Sequence, residues 1–286
     1  MWERTADDLR TLVDGLEFPE APRWHEDRLW FSDMRGHRVA RLDLEGGGEP
    51  ETVLTHEHQP SGLGWLPDGR LLFVSMENRR LMRQEADGTT VEVADLTPFT
   101  GGNTNDMVVD HAGRAYVGNF GYDSGNEEPR GATICRVDPD GTVSVAAEGL
   151  DFPNGTVLTP DRRTMIIGES VGHRLRAFDV EGDGNLSNKR VWAQLEGVAP
   201  DGICLDAEGM VWVASPISKE VLRIAEGGEI LARVGTGTRR PLACMLAGAD
   251  RRTLVMCTVG RHRETEAGPT GRLEAVEVDV PGAGLP

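Results

Sequence analysis

The chain has 286 residues and carries 30 basic against 47 acidic side chains, which gives a formal net charge of −17. Nucleic-acid phosphates and anionic membrane surfaces are bound by clustered positive charge, so this balance argues against both as partners. Glycine and proline number 36 and 16, and because they supply the backbone angles of turns, they favour many short strands over long helices.

The N-terminal segment and the cysteines bear on the compartment. The first ten residues, MWERTADDLR, are charged from Glu3 onward and lack the apolar centre of a secretory signal. No apolar run approaches the ~20 residues that cross a bilayer. The cysteines lack C-x-x-C spacing, so we expect reduced thiols in a cytoplasmic protein. These cysteines are Cys135, Cys204, Cys244 and Cys257.

A repeat runs through the chain in six units. Each unit opens with a short polar-and-small motif, followed by an apolar run, a polar turn, a second apolar run and a third strand. The central residues of successive openings are 41 to 49 positions apart. The openings are Pro19-Glu20-Ala21, Pro60-Ser61-Gly62, Thr104-Asn105-Asp106, Pro153-Asn154-Gly155, Pro200-Asp201-Gly202 and Pro241-Leu242-Ala243.

This spacing is typical of β-propeller blades, which contain three or four short strands in about 40–50 residues. We therefore predict an all-β, six-bladed β-propeller with four-stranded antiparallel blades. The prediction makes residues 1–286 a single domain, with a propeller core at about 15–280. A strand from residues 8–13 could pair with 273–278 and close the last blade, which would remove an exposed edge. A short helix over 6–13 is the alternative.

The central residues of the six openings should form a ring at one end of the central channel. Two carboxylates that share such a place repel each other and lose hydration, so something must compensate. A raised pKa, a buried basic partner or a bound cation would do so, and the ring itself contains no lysine, arginine or histidine. The ring residues are Glu20, Ser61, Asn105, Asn154, Asp201 and Leu242.

The donor atoms of the ring are all oxygens, which favour Ca²⁺, Mg²⁺ or Mn²⁺. Ca²⁺ accepts the irregular geometry that ligands from separate blades impose. We expect Ca²⁺ to be bound by Glu20, Asn154 and Asp201, with Asn105 at the edge of the ring and Mg²⁺, Mn²⁺ or Zn²⁺ as substitutes. The alternative is that these side chains only cap strand starts by bonding nearby amides.

Four phrases of the sequence resemble the senescence-marker-protein/gluconolactonase family, also called regucalcin-like. The phrases are Pro19-Glu20-Ala21-Pro22-Arg23-Trp24, Asn105-Asp106-Met107, Pro153-Asn154-Gly155 and Pro200-Asp201-Gly202. The resemblance implies a six-bladed lactonase with a divalent cation at the channel mouth, held by the same Glu20, Asn154 and Asp201. It also implies a role for Asn105 in the site.

The chain departs from this family's pattern in two places. Sugar-lactone members usually carry arginine two residues before the motif asparagine, where this chain has Asn103. The arginine that would hold sugar hydroxyls is therefore missing. The usual Gly-Glu-Gly is also replaced, by Pro19-Glu20-Ala21.

The expected reaction is hydrolysis of a small-molecule lactone or similar ester. A cation at the channel mouth can polarise the carbonyl and stabilise the oxyanion, while Asp201 acts on water as general base or as nucleophile. The second strand of each blade returns to this face, which brings Asn119 and Phe120 towards the mouth. With Asn103 and Asn105 they form the predicted substrate-binding set. Residues 121–131 form either a lid or a solvated hairpin loop.

Other functions remain open at this point. A calcium-binding propeller without catalysis would carry the same ring. A phosphotriesterase or a strictosidine-synthase-like enzyme could use the same fold. The expected assembly is a monomer or a small homo-oligomer.

Overall fold

The computed structural model describes residues 2–123, 125–261 and 268–285. These residues form 26 strands in six sheets, five with four strands and one with six. The sheets are arranged as the blades of a six-bladed β-propeller, which confirms the predicted fold. None of the helices in the described part of the chain is long and apolar enough to cross a membrane.

The first half of the chain contributes two leading strands and three blades. The leading elements are β1 (Trp2–Arg4), a 3₁₀ helix (Ala6–Asp8) and β2 (Arg10–Leu16). Blade one contains β3 (Pro19–His25), β4 (Arg28–Asp33), β5 (Arg38–Leu42) and β6 (Glu51–Thr55). Blade two contains β7 (Pro60–Trp65), β8 (Leu71–Ser75), β9 (Arg80–Gln84) and β10 (Thr90–Asp95), followed by a 3₁₀ helix (Thr97–Phe99). Blade three contains β11 (Thr104–Val109), β12 (Ala115–Asn119), β13 (Ala132–Val137) and β14 (Val143–Leu150).

The second half contributes the other three blades and a short final strand. Blade four contains β15 (Pro153–Leu158), β16 (Thr164–Glu169), β17 (Arg174–Val180) and β18 (Leu186–Gln194). Blade five contains β19 (Ile203–Asp206), β20 (Val211–Ser215), β21 (Glu220–Ile224) and β22 (Ile230–Gly235). Blade six contains β23 (Arg240–Ala247), β24 (Thr253–Val259) and β25 (Gly271–Glu277), and β26 (Gly282–Ala283) follows.

The N-terminal strand completes the last blade. β2 pairs antiparallel with β25, with Arg10 opposite Ala275 and Asp14 opposite Arg272. β2 (Arg10–Leu16) overlaps the strand expected at residues 8–13, and the helix offered for 6–13 is reduced to the 3₁₀ helix Ala6–Asp8. Two further pairings were not predicted: β1 adds parallel to β22, and β26 adds antiparallel to β19. Blade five therefore has six strands rather than four.

The core lies between the blades. Six hydrophobic clusters are present among the described residues, and each joins two neighbouring blades. The second strands β8, β12 and β20 are buried along their whole length because both of their faces are covered by neighbouring sheets. All four cysteines are buried free thiols, as predicted.

The inner strands β3, β7, β11, β15, β19 and β23 line the channel. We call the end at which they begin the upper end and the end at which they finish the lower end. In blades one to four a β-bulge follows the first residues of the inner strand. A bulge inserts an extra residue and re-aims the side chains around it. In these four blades the bulge therefore lies at the ring positions that the repeat predicts.

Candidate functional site

The structure brings Glu20, Asn154 and Asp201 together at the upper end. Burial raises the pKa of Glu20 well above its ordinary value, and the charges of Asp201 and Asp106 raise it further. The backbone N–H of Ala21 donates to Glu20 Oε2 at 3.0 Å, and this hydrogen bond lowers the pKa. Residues more than 180 positions apart in the sequence thus meet around one point.

Asp201 has the second perturbed carboxyl group of the site. Burial raises its pKa to about 8, against a hydrogen bond from the Asn154 side chain that stabilises the charged form. The charge of Asp106 raises the pKa of Asp201 further, whereas the guanidinium of Arg240 and the Gly202 amide lower it. The carboxylates of the ring therefore stand in a poorly hydrated place, as the sequence predicted for two acids in one channel.

Backbone hydrogen bonds fix the ring residues of blades four, five and six relative to each other. The Gly155 amide donates to the Asp201 carbonyl at 3.1 Å, and the Gly202 amide donates to the Leu242 carbonyl at 2.7 Å. A Cβ at Gly155 would lie 2.4 Å from the Ile203 nitrogen, so this contact between inner strands requires glycine. The glycine of the Pro-Asn-Gly motif therefore sets the distance between Asn154 and Asp201.

A buried basic partner lies beside the ring, and the sequence analysis missed it. Arg23 is 3% exposed and forms a salt bridge with Asp106. Its guanidinium also donates to the Leu63 carbonyl at 3.1 Å and to the Met107 carbonyl at 2.9 Å. Arg23 thus joins blades one, two and three and offsets part of the acid charge around Glu20. An arginine within the inner strand β3 was the signal that could have revealed it.

Two more arginines lie at the upper end and were also missed. Arg240 is half-buried, and its Nε donates to the Gly260 carbonyl at 3.3 Å. Arg35 is exposed, and its guanidinium lies 4.7 Å from the centre of the Phe18 ring. Within the described part of the chain neither one pairs with a carboxylate at ion-pair distance. Both arginines lie outside the central positions of the six openings, so the repeat does not point to them.

The donor set fits a hard divalent cation in charge and in atom type. Glu20 and Asp201 supply carboxylate oxygens, and the side chain of Asn154 supplies an amide oxygen, which Ca²⁺ accepts. Asp106 is already engaged by Arg23. In the described residues, no three histidine, cysteine, aspartate or glutamate side chains group closely enough to hold an ion by themselves. The predicted set would therefore depend on the amide of Asn154.

The predicted substrate-binding residues occupy different environments. Asn103 and Phe120 line one upper-end cavity of about 320 Å³, and the Phe120 amide donates to the Asn103 carbonyl at 2.9 Å. The Phe120 ring stacks on Phe152 with 4.3 Å between centroids. Asn105 is half-buried within the bulge of β11. None of Glu20, Asn154 and Asp201 lines this cavity, so it is a neighbouring space rather than the acidic centre itself.

Asn119 has a different role from the one expected. It is fully buried, and its Nδ2 donates to the Thr133 carbonyl at 2.8 Å and to the Thr133 hydroxyl at 2.9 Å. Its Oδ1 accepts the Gly121 amide at 2.9 Å. All the hydrogen-bonding atoms of this side chain serve blade three and the start of the following loop. We therefore assign Asn119 to the support of that loop and leave it out of the substrate set.

The fold and the site together define a six-bladed propeller with an acidic centre at one end of its channel. The chain belongs to the SMP-30/gluconolactonase/LRE-like region family, whose sequence profile matches residues 18–260.

Several proteins of known name are similar to the chain. A pentonolactonase, XacC, of Haloferax volcanii is 28% identical over 91% of this chain and 87% of its own length. A 6-deoxy-6-sulfogluconolactonase of Pseudomonas putida is 27% identical over 93% of each chain. Among solved structures, the calcium-binding protein regucalcin of Agrobacterium tumefaciens superposes with a TM-score of 0.84 at 20% identity. It covers 100% of this chain and 98% of its own. This structural likeness supports the fold.

Proposed function

We propose that this protein is a hydrolase that opens lactones at the upper end of its channel. The observation that carries the proposal is the convergence of Glu20, Asn154 and Asp201 from three blades, with the pKa of both carboxyl groups raised. Perturbed acids gathered at one place are typical of functional sites. The family and its relatives named as lactonases agree with this reaction.

The proposal includes a divalent cation, most simply Ca²⁺, held by Glu20, Asn154 and Asp201. Such an ion would polarise the lactone carbonyl and stabilise negative charge on its oxygen. Two carboxylates and a neutral amide would leave the complex near neutrality, which would offset the burial and the repulsion that raise the pKa of Glu20.

Asp201 is the proposed general base. Its carboxylate accepts a proton from a water molecule as the water oxygen attacks the carbonyl carbon of the lactone. The ring C–O bond then breaks, and Asp201 returns the proton to the leaving alkoxide, so the product is the open hydroxy acid. Asp201 suits this role by its position, because its carboxyl group lies at the acidic centre beside Asn154, where the lactone carbonyl would bind.

Substrate would be positioned by groups around the acidic centre. Asn105 follows Thr104 in the β11 bulge, and Arg240 lies close enough to Asp201 to lower its pKa. The cavity lined by Asn103 and Phe120 would receive the part of the substrate that does not react. Arg240 can donate to a ring oxygen, whereas the aromatic pair of Phe120 and Phe152 offers an apolar wall.

The test is hydrolysis of a lactone panel by the purified protein, and the rate is measured from the acid that hydrolysis releases. Gluconolactones, pentonolactones and an aliphatic γ-lactone would be compared before and after chelation, and then with added Ca²⁺. Turnover that is lost on chelation and regained with Ca²⁺ supports the proposal. Calorimetric titration of Ca²⁺ into wild type, Glu20→Gln and Asn154→Leu gives a second measurement that does not depend on turnover. Ca²⁺ binding should be weaker in both variants than in wild type.

The matched control is Asp87→Asn, which changes an exposed turn carboxylate that bonds Thr89. It should bind Ca²⁺ and hydrolyse lactones like wild type. Ca²⁺ binding without turnover of any lactone would instead favour a calcium-binding propeller without catalysis. We also propose a cytoplasmic location, since four buried free thiols suit a reducing compartment.

A further inference from the structure

The lower end of the channel contains a second cavity, larger than the one near the acidic centre. Its volume is about 580 Å³, within the range of small-molecule sites. It is lined where the inner strands of blades one to three finish, at Trp24, Trp65 and Val109. It therefore lies at the opposite end from Glu20 and Asp201, and the proposed hydrolysis does not use it.

Two tryptophans provide the apolar surface of this cavity. Trp24 and Trp65 are partly buried and line it together with Leu66. One face of Trp65 is covered by the His25 ring, with 4.0 Å between centroids and 12° between planes. Flat aromatic surfaces of this kind favour a ligand that is itself planar, because stacked rings gain energy beyond the area they bury.

Some charged residues that line the cavity form ion pairs and others do not. Asp110 is held by Arg114, and Arg23 is held by Asp106, so these two lining residues are already paired. Arg162 and Arg251 also line the cavity, and within the described residues neither has a carboxylate at ion-pair distance.

Arg251 is the more constrained of these two arginines. It is half-buried, and its Nε donates to the Leu246 carbonyl at 3.0 Å. Its backbone carbonyl accepts the Gly282 amide at 2.8 Å. The side chain is thus anchored through one nitrogen, which leaves the two terminal nitrogens to bind an anion. In a chain of net charge −17, two unpaired guanidinium groups at one cavity select negative charge.

The C-terminal tail forms one wall of the cavity. The amide and carbonyl of Leu285 exchange two hydrogen bonds with Leu158, at 3.0 and 2.8 Å. Gly284 has φ of +70°, and a Cβ there would lie 2.3 Å from the Leu158 carbonyl, so the path of the tail depends on this glycine. The tail places the exposed side chain of Leu285 on the cavity, where it adds apolar surface opposite blade one.

We propose that this lower cavity is a second ligand site that binds a small aromatic carboxylate, with the ring against Trp24 and Trp65 and the carboxylate on Arg251. Arg162 stands at the rim and contributes its charge to the approach of the ligand. The site is separate from the acidic centre, so ligand binding does not require the metal or the proposed base.

The test is calorimetric titration of the purified protein with 2-naphthoate. We expect a dissociation constant of about 1 mM or lower, in line with a ligand of this size. Naphthalene-2-carboxamide keeps the ring without the charge, and acetate keeps the charge without the ring. Both should bind at least about tenfold more weakly, because a charge-assisted hydrogen bond and an aromatic contact are each lost.

Variants locate the bound molecule. Arg251→Gln should weaken 2-naphthoate at least about tenfold, Arg251→Lys should recover part of the loss, and Trp65→Leu should weaken it similarly. Arg10→Gln is the matched control, since Arg10 is exposed, unpaired in the described residues and outside this cavity. Circular dichroism and lactone hydrolysis check that Arg251→Gln is folded.

Two patterns of binding would overturn the proposal, and so would the absence of binding. One is equal binding of the acid and the amide, which would remove the role of the arginines. The other is loss of 2-naphthoate binding in Asp201→Asn with retention in Arg251→Gln, which would place the ligand at the upper end. Absence of any binding at 10 mM, a concentration about ten times the expected constant, would also refute it.

Discussion

The two ends of the channel are built from the same six inner strands but carry opposite chemistry. At the upper end Glu20 and Asp201 are acids whose pKa values are raised by burial. At the lower end Trp24, Trp65 and Arg251 surround a cavity in which the free charges are positive. One strand thus presents oxygen ligands where it begins and aromatic or basic groups where it finishes.

The difference shows where a repeat constrains chemistry. At the upper end the openings of neighbouring blades are linked by backbone hydrogen bonds, as between Gly155 and Asp201. The fold therefore sets the positions of the central residues of the openings, and changing the side chain at one of these positions changes the chemistry of the site. At the lower end the inner strands pass into turns of different sequence, and the C-terminal tail joins them through Leu158 and Leu285. The polar turns of the repeat lie at that end, but their residues differ from blade to blade.

The largest expected effect separates the two ends directly. Asp201→Asn should lower kcat/KM for lactones by about 10³-fold, because loss of a general base typically costs 10²–10⁴. The same variant should bind 2-naphthoate like wild type. Initial rates across substrate concentrations and one titration measure both. If the variant hydrolyses lactones at more than a tenth of the wild-type rate, Asp201 is not the base.

The next effect concerns the arginine that holds the upper end together. Arg23→Met should lower the free energy of unfolding by about 3–5 kcal/mol, since it leaves the buried Asp106 without its cation. Arg23→Met combined with Asp106→Asn should recover part of that loss, because the unpaired charge is then removed. Urea unfolding of the three proteins measures the free energies. Equal stability of the single and double variants would contradict an uncompensated charge as the cause.

A smaller effect tests the spacing between ring residues. Gly155→Ala should lower the free energy of unfolding by about 1–3 kcal/mol, because its Cβ would meet the Ile203 nitrogen at 2.4 Å. It should also weaken Ca²⁺ binding, since Asn154 and Asp201 would be forced apart. The control is Gly182→Ala, where the added Cβ meets nothing within 4 Å and φ is not left-handed. Similar stability loss in both variants would point to a general effect of alanine rather than to close approach.

The sequence was sufficient to predict the fold and to predict that acidic and amide side chains gather at the upper end. The spacing of the openings indicated six blades, and in blades one to four a bulge falls at the central residues of the openings. The burial of Asn119 could not be predicted, because its partner Thr133 belongs to the next strand and is separated from it by residues 120–132. The role of Arg23 was hidden for a similar reason, since Asp106 lies two blades away.

The lower end could not be predicted at all from the repeat. Its cavity depends on which turn residues happen to meet, and on the two hydrogen bonds between Leu158 and Leu285 that hold the tail in place. No periodic pattern contains that information. The extra strands β1 and β26 were missed for the same reason, because each is short and pairs outside the order of the repeat.

The smallest expected effect is a pH dependence that belongs to the lower end. Burial against Trp65 lowers the pKa of His25 below its usual 6.5, although the nearby Glu26 carboxylate works against this. The unfolded chain then takes up its proton first as pH falls, so the stabilising contribution of neutral His25 is complete above pH 6.5. It decreases below that pH and is lost once the pH passes the lowered value.

Replacing His25 by phenylalanine keeps a ring on Trp65 and removes the titration. The stability difference between wild type and His25→Phe should therefore be constant above pH 6.5 and should shift in favour of the variant as pH falls towards 5. Urea midpoints at half-unit pH intervals measure this difference, and subtraction removes the contributions of the upper-end acids, which are common to both proteins. A difference that stays constant throughout would show that His25 is no more buried than in the unfolded chain. The stacked arrangement at the lower end would then have to be revised, while the upper end would be unaffected.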